Sequence, residues 1–169
     1  MPTTPQTLLR VHAPLGAVVL LTYALCLPRA FRLPDGKRRA WGGIEGGLRT
    51  IYMISITLAA VAYLWLMRAL PASDPKNAVA FQIFLGGAAL WAPLVLASMH
   101  APDSRCLKAG VVGALTLTSA GAFGLLWRAA QTAGTGAHLA AGWLAAHVFV
   151  LDNVVWAYRF VTYGGSAER

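Results

Sequence analysis

The chain is predicted to be an all-α polytopic membrane protein, a bundle of five transmembrane helices, and three observations predict it. Hydrophobic residues make up 57% of the 169 positions. The mean hydropathy is +0.59, more apolar surface than a water-soluble core of this size could bury. Five apolar stretches fill most of the sequence, near 13–27, 50–67, 78–99, 109–127 and 139–158, and a spanning helix needs roughly 20 such residues. Charged residues are only 12% of the chain and cluster between those stretches. The connections are too short to form a second domain, so residues 1–169 are expected to be one transmembrane domain.

The first stretch is the shortest and carries Pro14 and Gly16 near its start. Leu27-Pro28-Arg29 follows with no small-x-small cleavage pattern, which reads as an uncleaved span. The next connection, Arg29 to Arg49, is long and basic and places Trp41 among Gly42, Gly43, Gly46 and Gly47. That pattern suits an interfacial Trp on a flexible turn, or a lid over a ligand. The second stretch holds Tyr52, Ser55 and Thr57, and a turn with Pro71 and Pro75 leads back into the third as an antiparallel hairpin. Gln82, Gly86, Gly87, Trp91 and Pro93 mark the third; a bend is expected near Pro93, which lacks a backbone donor. The fourth is rich in Gly, Ala, Ser and Thr, residues that let membrane helices approach closely.

The formal charge of +8 could suggest nucleic-acid binding, but the basic residues lie in short loops, as the positive-inside rule requires. Arg29, Arg32, Lys37, Arg38, Arg39, Arg49, Arg105, Lys108, Arg159 and Arg169 fall on one side. Arg10, Arg68, Lys76 and Arg128 fall on the other. The expected topology puts the N-terminus outside, and the basic first loop and C-terminus inside, in an organellar or bacterial inner membrane. Cys26 and Cys106 both lie near that inside face and are expected as free thiols.

The fifth stretch carries the chemistry: Trp143, His147, Asp152, Asn153, Trp156 and Arg159. Asp152 is the only acid within any span. An ionisable group in hydrocarbon is costly unless paired, which marks a functional position. On an α-helix, Trp143, His147, Val154 and Tyr158 share one face, and Phe149, Asp152, Trp156 and Arg159 another. Partners expected for Asp152 are Tyr52, Ser55, Thr57, Gln82 or Arg159. The four His and two Cys show no zinc spacing, and no His is placed to pair with His147 on a haem. Phosphate loops, nucleophile elbows and paired carboxylates are absent, so no enzyme and no metal or covalent cofactor is expected.

Three short segments resemble the translocator protein, or tryptophan-rich sensory protein (TspO), family. Ile51-Tyr52 is similar to that family's Leu-Tyr-x-x-Met-Gly. Trp91-Ala92-Pro93-Leu94 resembles its Trp-Ser-Pro-Leu, and Leu151-Asp152-Asn153-Val154-Val155-Trp156 its Leu-Asn-x-x-x-Trp. The family's first-loop Trp-x-Pro-Pro is missing, and Trp143-Leu144-Ala145-Ala146-His147 replaces its Pro-Tyr-x-x-Trp. The resemblance implies a pocket among spans one, two, three and five that takes a tetrapyrrole or sterol beneath the first loop.

Two classes of function follow. One is a non-enzymatic binder of a flat hydrophobic ligand (a tetrapyrrole, sterol or similar lipid), with Trp41 as lid and Tyr52, Trp91, Trp143, His147 and Asp152 as pocket. The other is a small accessory subunit of a larger membrane complex, or a homodimer, packing against neighbours, lipid or pigment.

Overall fold

The computed structural model describes residues 12–71 and 73–163; Arg10 and Arg169 of the charge count lie outside the described residues. Among those described there are helices and turns and no strand. Five helical segments are long and apolar enough to cross a membrane, so the protein is an integral membrane protein by length and composition. Span one is α1 (Ala13–Phe31), and α2 (Gly36–Ala40) is a short helix in the first loop. Spans two, three and four are α3 (Gly46–Ala69), α4 (Pro75–His100) and α5 (Arg105–Thr132). Span five runs Thr135–Thr162 and is built from α6 (Thr135–Ala146), a π-helical segment (His147–Trp156) and α7 (Ala157–Tyr163).

Each span is longer than the apolar stretch read from the sequence, and polar side chains cap the starts of spans three and four. Asp74 accepts from the Lys76 backbone N–H at 2.9 Å, and Ser104 from Leu107 N at 3.3 Å; both satisfy donors that a helix start leaves open. Span one runs through Pro28 to Phe31, with Arg29 Nη1 donating to the Leu25 carbonyl at 2.7 Å. Span three likewise stays helical through Pro93 from Pro75 to His100.

Packing sets the order of the spans around the bundle as one, three, four, five, two. The closest pair is three and four, where glycines remove the side chains that would hold them apart. A Cβ on Gly87 would lie 2.6 Å from the Thr118 backbone nitrogen and 2.7 Å from the Ala114 carbonyl oxygen. Gly121 meets the backbone of Phe84 in the same way. Spans two and three are antiparallel, but they do not pack along each other as a close hairpin. Their rings stand between them, with Tyr63 stacked on Phe84 at 5.6 Å and edge-on to Phe81 at 6.0 Å. Span one packs along span three and not along span two, and only its Ala30 is buried.

The first loop is a packed cap, where the sequence pattern suggested a flexible turn. Ala30, Ala40 and Ile44 are buried with Trp156, Val95 and Met99 in one apolar cluster. Gly42 and Gly43 have φ of 58° and 69°, which only glycine adopts without strain. A Cβ on Gly42 would also lie 3.2 Å from the Trp156 carbonyl oxygen. Arg39 donates to the Met99 carbonyl at 3.5 Å and Arg159 to that of Gly43 at 2.9 Å. These bonds gather the first loop and the ends of spans three and five at one end of the bundle. At the other end Arg128 bonds Asn77 at 2.8 Å and Asp74 at 2.5 Å.

Candidate functional site

The π-helical segment decides the site. An α-helix turns about 100° per residue, so positions five apart would sit about 140° from one another. In a π-helix those positions are hydrogen-bonded neighbours. His147 and Asp152 therefore share one face, and His147 Nε2 stands 3.7 Å from Asp152 Oδ2. This corrects the assignment of the two residues to separate stripes. Nothing local announces the π-helix: His147–Trp156 contains neither Gly nor Pro.

The same segment separates Asp152 from its chain neighbour. Asp152 turns toward span two, where the Tyr52 hydroxyl donates to its Oδ1. Asn153 turns toward span four, with Nδ2 3.4 Å from both Thr116 Oγ1 and Ser119 Oγ. His147 is buried, its Nδ1 2.8 Å from Ser55 Oγ. A chain of polar side chains thus runs from Ser55 through His147 and Asp152 to Tyr52, hydrogen-bonded at its two ends and joined in the middle by the 3.7 Å contact. Of the partners expected for Asp152, Tyr52 bonds it directly. Tyr52 lies six residues into span two, roughly 9 Å below the helix start at the cap end.

Aromatic rings surround this chain. Tyr52 sits edge-on to His147 at 5.6 Å and to Trp41 at 6.1 Å. The Arg49 guanidinium covers the other part of Trp41 at 4.9 Å, a cation–π contact. Tyr23 of span one lies close enough to interact electrostatically with both Asp152 and Tyr52. Trp91 packs on Tyr23 at 5.5 Å and on Trp156 at 5.3 Å. Its indole N–H is buried without a partner among the described residues. Trp156 stacks on Phe160 at 4.6 Å and donates to the Ala40 carbonyl at 3.0 Å, tying the cap to span five.

Of the six residues singled out from sequence, Trp41, Tyr52, His147 and Asp152 meet directly, and Trp91 joins them through Tyr23 and Trp156. Trp143 is a correction. It is 45% exposed on the outside of the bundle, because the buried face of α6 is made by Ala137, Ala141, Leu144 and Ala145. Tyr158 and Val154, grouped with it by α-helical spacing, are also exposed. Sequence reasoning missed Tyr23, whose role depends on which face of span one meets the bundle. It also missed the anchoring of the cap by Trp156.

The arrangement can hold a proton, accept or donate hydrogen bonds, and stack a flat or cationic group. Asp152 keeps 25% of its side chain exposed while His147 keeps 5%. The neighbours of this carboxyl, Tyr52 and Tyr23, stand on spans two and one, which do not pack along each other. Toward one end of these spans His12, capping span one, bonds the Tyr63 hydroxyl at 3.1 Å; toward the other Trp41 covers Tyr52. A separate apolar groove of about 500 Å³ lies between spans one, three and four. It is lined by Val18, Thr22, Gln82, Gly86 and Leu117 among others and includes none of the six residues. No group of three or more His, Cys, Asp or Glu that could hold a metal ion occurs among the described residues. No protein-family model, curated protein or solved structure matches the chain.

Proposed function

We propose that the protein is a non-enzymatic membrane receptor or carrier for a hydrophobic ligand, taken from the bilayer into the seam between spans one, two and five. One observation carries this reading. The only acid inside a span is held by Tyr52 and His147 yet remains a quarter exposed, and its neighbours Tyr52 and Tyr23 lie on two spans that do not pack along each other. A purely structural acid in hydrocarbon would be enclosed by its partners, because any exposed part is desolvated without return. The flanking rings of Trp41, Tyr23 and Trp91 suit a flat or bulky apolar body, and the carboxyl suits its polar end. The resemblance to the TspO family supports a tetrapyrrole, sterol or similar lipid as the ligand type. In this reading the basic cap faces the inside of a bacterial or organellar inner membrane.

The test is chemical. Protein purified in mild detergent is extracted with organic solvent, and the extract is compared by mass spectrometry with that of Asp152→Ala. A hydrophobic compound retained by the native chain and by Trp143→Ala, and lost from Asp152→Ala, is the expected result. Equal retention by all three would overturn the proposal.

The accessory-subunit reading keeps one specific support: span one buries only Ala30, and a neighbouring protein would cover the remainder. It requires the protein to leave a mild-detergent extract in a large assembly, and the binding reading does not.

A further inference from the structure

We infer that the ligand admitted at this seam is a lipophilic cation, exchanged for a single proton carried by the His147–Asp152 pair. The inference rests on the binding reading and narrows its ligand to a cationic lipid-like molecule, in place of a neutral sterol or an acid-bearing tetrapyrrole. Asp152 Oδ2 is 3.7 Å from His147 Nε2, and the remaining polar atoms of the pair are committed. Oδ1 accepts from Tyr52, and Nδ1 pairs with Ser55 Oγ at 2.8 Å.

Charge then determines what the pair can hold. Net charge in hydrocarbon costs several kcal/mol, so the stable resting pair is neutral overall and contains one titrating proton, whether on oxygen or on nitrogen. Losing it leaves a lone carboxylate, tolerated only where another cation takes the proton's place. The cation at the start of span two, Arg49, lies over the Trp41 ring. The titratable groups facing the pair are Tyr23 from span one and Tyr52 from span two. Arg159, two turns along the same helix, donates to the Gly43 carbonyl of the cap. Spans three and four carry ionisable side chains only toward their ends, at Lys76, His100, Arg105, Cys106, Lys108 and Arg128.

The exposed part of Asp152 is therefore the attachment point for a cation that arrives with its own apolar coat. The rings of Tyr23, Tyr52 and Trp41 offer π faces to the same charge. The step is an exchange. The cation moves from lipid to Asp152, the O–H or N–H bond of the pair breaks, and the proton leaves to water. Net charge at the seam stays at zero. An anion of the same shape gains nothing and meets the carboxylate.

The test uses the full-length protein in nanodiscs of phosphatidylcholine, titrated calorimetrically with tetraphenylphosphonium and with tetraphenylborate, ions of one shape and opposite charge. Tetraphenylphosphonium should bind saturably, with affinity rising about tenfold per pH unit over the range in which the pair is protonated. Titration in two buffers of different ionisation heat should show one proton released per cation. Tetraphenylborate should not saturate, and Asp152→Asn, which keeps a partner for Tyr52, should lose the cation at every pH. The proton count on the native chain stands as a test even if that variant fails to fold. Comparable binding of both ions, pH-independent affinity, zero proton release, or native-like binding by Asp152→Asn would each overturn the inference. If neither ion binds while a neutral lipid is retained, this inference falls and the binding reading stands. If no hydrophobic compound is retained at all, both fall.

Discussion

Spans three and four form one side of the bundle, and spans one and two the other; they solve opposite problems. Between three and four, Gly87 and Gly121 bring backbone against backbone, and Thr118 is buried there. Between one and two there is no such close packing: the pair meets through His12 on Tyr63, and span one leans on span three instead. The π-helical segment of span five bridges the two sides, sending Asn153 to the packed side and Asp152 to the open one. The lesson is that close packing fixes the scaffold while the ionisable group is kept where packing is incomplete.

The sharpest way to break this comparison is to disturb the packed side. Gly121→Leu should cost about 3 kcal/mol or more, since overfilling a tight interface forces backbone movement. Gly86, with open space where its Cβ would lie, should show the opposite sign. Gly86→Ala should be neutral or stabilising by up to about 1 kcal/mol, the helical preference of Ala over Gly. Reversible unfolding in detergent measures both.

On the open side, Tyr52→Phe and Asp152→Ala form a double-mutant cycle. A coupling of about 1 to 3 kcal/mol is expected, because a buried partner left unsatisfied costs that much. Additive effects would place the two side chains out of contact.

A smaller effect belongs to the cap. Trp156→Phe keeps the stacking on Phe160 and removes the donor to Ala40, so about 1 kcal/mol should be lost. Limited proteolysis between Arg32 and Glu45 should accelerate.

The smallest effect is at the far end, at Asp74. The Lys76 backbone N–H, together with the Arg128 guanidinium and despite a partial desolvation, holds this carboxyl below its ordinary value of 3.8. A depressed acid stabilises the fold above its unfolded value and loses that contribution as pH falls through the folded one. Acidification below about 3.8 should therefore lower the melting temperature of the native chain more than that of Asp74→Asn.

The five spans were legible in the sequence because hydrocarbon thickness imposes length and apolarity on each. Asp152 was legible too, since an acid inside an apolar run stands out whatever its neighbours. Its grouping with His147 was not, because α-helical periodicity assumes the one parameter that span five alters. Trp143 failed for a related reason. A Trp in a span reads alike whether it faces ligand or lipid, and α6 turns its small residues inward. Tyr23 was invisible because the order of the spans, one beside three rather than two, is set by long-range packing and not by chain connection.

In the proposed binding mode Asp152 is reached from the bilayer through the seam between spans one and two. Dicyclohexylcarbodiimide, an apolar reagent that modifies protonated carboxyls, tests it on the native chain in nanodiscs, read by peptide mass spectrometry. The account predicts an N-acylurea on Asp152, formed faster as pH is lowered and slowed by a bound hydrophobic ligand. Asp152 left unmodified in the folded protein, but labelled once the chain is unfolded, would contradict it.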